Sequence, residues 1–175
     1  HLRGILALQQ ANLRQNVAPE QQVSDGFVTL QYTLAQMQQM HALRPSVVAK
    51  DGDRVVGYVI TAAPEVRHFI PELGNLFGQI DTLTYDGKSL SQYAYYVAGQ
   101  VCVADGYRGQ RLLDQMYAHH RATYADRYRL FITDISNRNT RSLRVHERVG
   151  FQQLARFYEP DAGEEWVLVV WDWSL

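Results

Sequence analysis

Val101-Cys102-Val103-Ala104-Asp105-Gly106-Tyr107-Arg108-Gly109-Gln110-Arg111-Leu112-Leu113 carries the strongest local signal in the chain. An apolar strand runs into a short polar turn, and the turn opens an amphipathic helix, expected over Arg108 to Tyr124. This layout aims unpaired backbone N–H groups and the positive end of a helix dipole at one spot, a seat for a phosphate-bearing ligand. Gly109 lets a ligand approach the backbone where a Cβ would stand in the way. Gln110, Arg111 and Leu112 present first-turn N–H groups, and Arg108 and Arg111 add cations. Hydrogen bonds to charged partners contribute about 1.5–3 kcal/mol each, so three or four hold a diphosphate. On this stretch alone, arginines solvated at a helix start are an equally good reading.

Working outward, strands and helices alternate on both sides. Upstream, Gln92 to Val103 is a long strand. Downstream, Leu130 to Ile135 is a strand, Thr140 to Val149 a helix, and Phe151 to Tyr158 and Trp166 to Trp173 the last two strands. The N-terminal half opens with a helix from Leu2 to Asn16, its apolar stripe carried by Leu2, Ile5, Leu6, Leu8 and Leu13, with Pro19 marking its end. Gly26 to Leu30 is a short apolar piece of undecided type, and Thr33 to Met40 a second helix. Ser46–Lys50 and Arg54–Thr61 form a hairpin around the Asp51-Gly52-Asp53 turn. Residues 62 to 93 are broken by Pro64, Pro71, Gly74, Gly78 and Gly87, yet Phe69, Leu73, Leu76, Phe77 and Ile80 have the spacing of a short packed helix. So much apolar surface fits a lid-like insertion rather than a linker. The fold class is α/β, a single domain over 1–175 with a mixed sheet flanked by helices.

A second segment, Asn139-x-x-Ser142-x-x-x-His146-x-x-x-Gly150-Phe151, follows one strand later. Asn139, Ser142 and His146 fall at intervals of three and four and share one helix face. Gly150 ends that helix and Phe151 starts the next strand.

Both segments resemble motifs of the GNAT N-acyltransferase superfamily. The first is similar to the family's pyrophosphate motif, Gln/Arg-x-x-Gly-x-Gly/Ala. Arg108 matches its first position, Arg111 stands where the first glycine is usual, and Leu113 where the Gly/Ala is usual. The second is similar to Asn-x-x-Ala-x-x-x-Tyr-x-x-x-Gly-Phe, with His146 in place of the Tyr. The order of elements agrees over nearly the whole chain, with the family's first strand falling before residue 1.

The resemblance implies a sheet splayed at the central strand, with acyl-CoA entering the gap. The backbone from Gln100 through Val101, Cys102 and Val103 would pair with the pantetheine amides. A backbone N–H near Val103 would polarise the thioester carbonyl. Arg108, Gly109, Gln110, Arg111, Leu112 and Leu113 would seat the pyrophosphate. Asn139, with Ser142 on the same face, would hold the pantetheine. His146 would stand where the family places its general acid, and an unperturbed imidazole pKa near ~6.5 suits proton donation. The alternative for His146 is packing in the cleft wall. Some family members place a Glu on the central strand as base; no carboxylate lies between Asp86 and Asp105 here. Tyr95, Tyr96, Asp134 or Glu72 remain candidates, none singled out.

Composition bounds what else the chain does. Its 175 residues are 46% hydrophobic and 20% charged, ordinary for a globular protein, and the net charge of -1 exerts no pull toward nucleic acid or anionic membrane. Cys102 is the one cysteine, which excludes an intrachain disulfide and fits a reducing cytoplasm. No apolar run approaches a membrane span. His41, His68, His119 and His120 lack ligand spacing, so no metal is expected. An acidic turn with Glu159, Asp161, Glu164 and Glu165 would favour a cationic acceptor, against the commoner reading of a soluble surface turn. The expectation is an N-acetyltransferase moving an acetyl group from acetyl-CoA to a small-molecule or peptide amine in a ternary complex. The alternative is a non-catalytic acyl-CoA-binding sensor or interaction domain.

Overall fold

A computed structural model describes residues 1–25, 27–160 and 162–174. The elements in chain order are α1 (Leu2–Asn12), α2 (Pro19–Asp25), α3 (Leu34–Leu43), β1 (Val47–Asp51), β2 (Arg54–Ala62), α4 (Gly74–Thr82), β3 (Thr84–Tyr85), β4 (Lys88–Ser89), β5 (Tyr95–Val103), α5 (Leu112–Tyr124), β6 (Leu130–Ser136), α6 (Thr140–Val149), β7 (Gln152–Glu159) and β8 (Glu164–Asp172). Six strands form one sheet in the order β1-β2-β5-β6-β8-β7, and β3-β4 is a separate small hairpin. Only the β5–β6 pair is parallel, so the expected mixed α/β sheet is the observed one.

The two faces of the sheet carry different cores. On one, Ile5 and Leu8 of α1, Met37 and Met40 of α3, and Phe77 and Ile80 of α4 pack over Tyr58, Ile60, Val97 and Ile132. On the other, Met116, Tyr117 and Tyr124 of α5 pack over Val59, Tyr96, Phe131 and Val169. Burying a large apolar side chain completely contributes about 1.5–3 kcal/mol, and the alternation of strand residues divides that burial between the faces.

Several boundaries differ from the sequence pattern. The first helix stops at Asn12 because Leu13 turns extended (φ -59°, ψ 140°) to bridge Val28. The Asn12 carbonyl accepts from Val28 N at 3.0 Å, and Arg14 N donates to the Val28 carbonyl at 2.9 Å. Pro19 opens α2 instead of closing the first helix, as suits a residue with no N–H to leave unpaired. The Val28 end of the undecided apolar piece thus belongs to a strap across α1; Gly26 lies outside the described residues. Thr33 caps α3 through a capping box with Gln36, and that helix continues to Leu43. Within residues 62–93 the helix is confined to Gly74–Thr82; Leu73 ends a 3-10 turn ahead of it, and Phe69 follows another. The helix expected from Arg108 begins at Leu112, for reasons that belong to the site.

The sheet opens in its middle. β5 and β6 pair at Tyr95–Leu130, Tyr96–Phe131 and Val97–Ile132 and no further. The Thr133 hydroxyl then donates to the Ala98 carbonyl at 3.0 Å, a side chain standing where the next ladder bond would be. On the other edge of β5 the register with β2 shifts between Ile60 and Thr61, which leaves Gly99 as the extra residue of a bulge. Tyr32 donates its hydroxyl to the Gly99 carbonyl at 2.9 Å. A Cβ on Gly99 would lie 2.9 Å from that hydroxyl oxygen, so the close approach requires glycine. Among the described residues no helix is long and apolar enough to cross a membrane.

Candidate functional site

Two cavities meet in the opening between β5 and β6. The first, about 440 Å³, lies between the β5–α5 turn and α6; the second, about 580 Å³, lies between the strap, the 62–93 segment and β6. Phe27, Val28, Val101, Asn139 and Ser142 line both, so they form the junction.

The charges of the two halves are opposite. Arg108, Arg111, Arg141, Arg144 and Arg148 line the first with one carboxylate, Asp114, which Arg148 holds at 2.7 Å. That pairing keeps the Asp114 carboxyl below the usual range. Glu72, Asp134 and Glu159 line the second, and no Lys or Arg does among the described residues.

The turn that feeds the first half is built from left-handed residues. Gly106 (φ 82°) and Gly109 (φ 78°) suit this conformation, and Arg111 (φ 57°) adopts it at the N-cap of α5. Arg111 thus takes the backbone shape that a glycine would take, at a cost of about 1–2 kcal/mol. Because Arg111 is left-handed, the helix starts at Leu112, four residues after the expected Arg108. The first intrahelical bond runs from Gln115 N to the Arg111 carbonyl, which leaves the N–H groups of Leu112, Leu113 and Asp114 without helical partners beside the cavity they line.

Ten of the residues expected to touch a cofactor line this half: Val101, Cys102, Val103, Arg108, Gly109, Arg111, Leu112, Leu113, Asn139 and Ser142. Gln110 does not; its amide folds back onto the Gly106 carbonyl at 2.8 Å and braces the turn. The Arg108 guanidinium is spent on structure as well, donating to the Val103 carbonyl (3.0 Å) and to Asn12 Oδ1 (2.7 Å), and so ties the end of β5 to α1. Burial pushes the Cys102 thiol up to about 12, so it stays protonated. Three cations of α6 escaped the sequence reading, although Arg141, Arg144 and Arg148 recur at helical spacing and could have been found by it.

β5 presents backbone to the gap. Ala104 N donates to the Val56 carbonyl at 2.8 Å, so along an antiparallel ladder the residues bonded to β2 alternate as Ala104, Cys102 and Gln100. Val103 and Val101 therefore point their N–H groups toward the opening.

His146 lines the second half and is 1% exposed. Its Nδ1 lies 2.8 Å from the Ser142 carbonyl, which accepts only, so the ring proton is on Nδ1. Nε2 then accepts from the Tyr117 hydroxyl at 2.6 Å. Burial lowers the imidazole to about 4, so it is neutral at pH 7, with its one N–H already engaged. The sequence carried no sign of Tyr117 as its partner.

Among the candidate bases, Asp134 and Glu72 line the second half, whereas Tyr95 and Tyr96 do not. Burial, with Glu159 adding repulsion, lifts the Asp134 carboxyl to about 7. Among the described residues of the acidic turn, Glu159 is the carboxylate that reaches the cavity, where it accepts from the Asn75 amide of α4. Glu164 is buried between Arg14 (3.4 Å) and Arg138 (3.3 Å), and Glu165 pairs with Arg156 at 3.0 Å. Asp161 lies outside the described residues. The segment 62–93 contributes Pro71, Glu72, Leu73, Asn75 and Leu76 to the wall.

Comparison with known proteins places this architecture. It is similar to a NatC complex bound to Gag peptide and CoA (10% identity, TM-score 0.66, 98% of this chain and 89% of that one). It is similar to the ribosomal-protein-S18-alanine N-acetyltransferase of Escherichia coli (10%, 0.60, 98% and 86%) and to a ribosomal-protein-alanine N-acetyltransferase of Brucella melitensis (16%, 0.61, 98% and 93%). At these identities the likeness is one of fold. No curated protein matches the sequence. The acetyltransferase (GNAT) family model matches residues 11–151, and the chain belongs to that family.

Proposed function

We propose that this protein transfers an acetyl group from acetyl-CoA to an amine by direct attack in a ternary complex. The observation that carries the reading is the cleft of opposite charge: an arginine-lined half and an acidic half that meet where the sheet opens. A diphosphate suits the first half and an alkylammonium the second.

The α5 N–H groups, Gly109 and Arg111 take the pyrophosphate, with Arg108 and Gln110 holding the turn in shape. The gap-facing edge of β5 and the Asn139 amide hold the pantetheine. In place of the expected N–H near Val103, which lines only the first half, the Val101 N–H at the junction polarises the thioester carbonyl and stabilises the oxyanion. With a pKa near neutrality, Asp134 is the base that accepts the proton of the attacking nitrogen. The acceptor is an amine of a small molecule or a peptide; the similar NatC structure is bound to a peptide, which favours the latter.

The test is a thermal-shift titration with acetyl-CoA, CoA and ATP, followed by a screen of amines and N-terminal peptides. A shift with both CoA species and not ATP, with CoA thiol released in the presence of an amine, is expected. Binding with no release from any amine would leave a non-catalytic acyl-CoA-binding module. No shift at all would overturn the reading.

A further inference from the structure

We propose that the Ser142 hydroxyl donates a hydrogen bond to the sulfur that leaves in this reaction, and that His146 and Tyr117 are positioning residues that act through it. The inference rests on the acyl-CoA reading above. Ser142 lines both halves of the cleft, and a thioester attacked from the acidic half must lie at that junction.

The direction of each hydrogen bond follows from the atoms. The Tyr117 hydroxyl is used on His146 Nε2 (2.6 Å), and His146 Nδ1–H on the Ser142 carbonyl (2.8 Å). Ser142 Oγ lies 3.3 Å from the same Nδ1, so toward the imidazole it accepts. With its lone pair facing the ring, its own hydrogen turns away. The Oγ–H makes no other hydrogen bond among the described residues. The Ser142 backbone N–H is held by Asn139 Oδ1 at 3.1 Å, which fixes the residue in the first turn of α6. A buried neutral imidazole thus orients a serine donor at the junction instead of donating a proton itself.

The chemistry balances without consuming that proton. The nitrogen forms its bond to the carbonyl carbon, the C–S bond breaks, and its electron pair goes to sulfur. The bound alkylammonium first gives one proton through Asp134 to solvent, which frees the lone pair for attack, and once the C–N bond has formed the nitrogen gives up a second proton by the same route. The thiolate, stabilised by Ser142 O–H···S⁻, takes a proton from solvent as CoA departs.

The experiment needs no acceptor. Free CoA is bound to the protein, binding is verified by calorimetry, and the thiol of bound CoA is titrated by its thiolate ultraviolet absorbance. A donor to the thiolate makes its acid dissociation constant at least about tenfold larger in the wild type than in Ser142→Ala. Ser142→Thr restores it, and His146→Phe lowers it in the Ser142 background but adds nothing to Ser142→Ala. Equal thiol pKa in wild type and Ser142→Ala, with CoA bound to both, would overturn the proposal. So would a His146→Phe effect that persists without the serine. Failure of the wild type to bind CoA would instead overturn the acyl-CoA reading, and this proposal with it.

Discussion

The Thr133 hydroxyl donates to the Ala98 carbonyl at 3.0 Å, one step past Val97–Ile132, the last backbone pair of β5 and β6. A side-chain bond there satisfies a buried carbonyl while the two strands separate, so the cleft begins at this contact. Thr133→Val keeps the shape and orphans the carbonyl. The expected cost is about 1–3 kcal/mol in urea unfolding. A variant as stable as the wild type would show that the opening needs no such wedge.

Arg111 occupies left-handed backbone at the entrance of α5. Glycine tolerates that conformation and alanine does not, while both lose the guanidinium. Arg111→Gly is therefore expected to be more stable than Arg111→Ala by about 1 kcal/mol. Both bind CoA more weakly than wild type through the lost cation. Equal melting temperatures for the two variants would argue against the left-handed turn.

Asp134 must lose its proton to act as base. Its ionisation predicts that kcat/KM rises with pH through about 7, the value burial and Glu159 impose. Glu159→Gln removes one of the two causes, so the rising limb shifts to lower pH. Asp134→Asn lowers turnover by about 10²–10⁴-fold with acetyl-CoA affinity unchanged. Wild-type rates in Asp134→Asn would assign the base elsewhere.

Stability depends on pH through two buried imidazoles and the cavity-lining Asp134. His146 falls to about 4, and His120, fully buried with Nδ1 3.0 Å from the Tyr96 hydroxyl, falls to about 3. Between those values and 6.5 the unfolded chain binds two more protons, so this stability is present above pH 6.5 and is lost as pH falls. Asp134, raised from 3.8 to about 7, works in reverse: the folded chain holds one extra proton, a contribution lost as pH rises through 7. Two against one leaves a net loss of roughly 1.4 kcal/mol per pH unit on acidification from 6 to 4. A flat profile in chemical denaturation across that range would contradict the neutral burial of both imidazoles.

Much of the fold was legible because its signals are local. The Asp51-Gly52-Asp53 turn lies between two Val-rich runs and folds as the expected hairpin. The Asn139, Ser142, His146 face is a matter of helical period, and α6 spans the expected Thr140–Val149. The first helix ends before its apolar stripe does because the residue that ends it, Leu13, is held by Val28, fifteen positions away.

The order of elements, the strand–turn–helix at Val101 to Leu113, and membership of the acetyltransferase (GNAT) family are readable along the chain alone. These depend on residues close together along the chain. Three-dimensional packing brings Arg108 to Asn12 across 96 positions and His146 to Tyr117 across 29. It also puts Asp134 in one cavity with Glu72 and Glu159. Protonation and hydrogen-bond direction follow from burial and from partners supplied by distant segments, and neither exists until the sheet has closed around them.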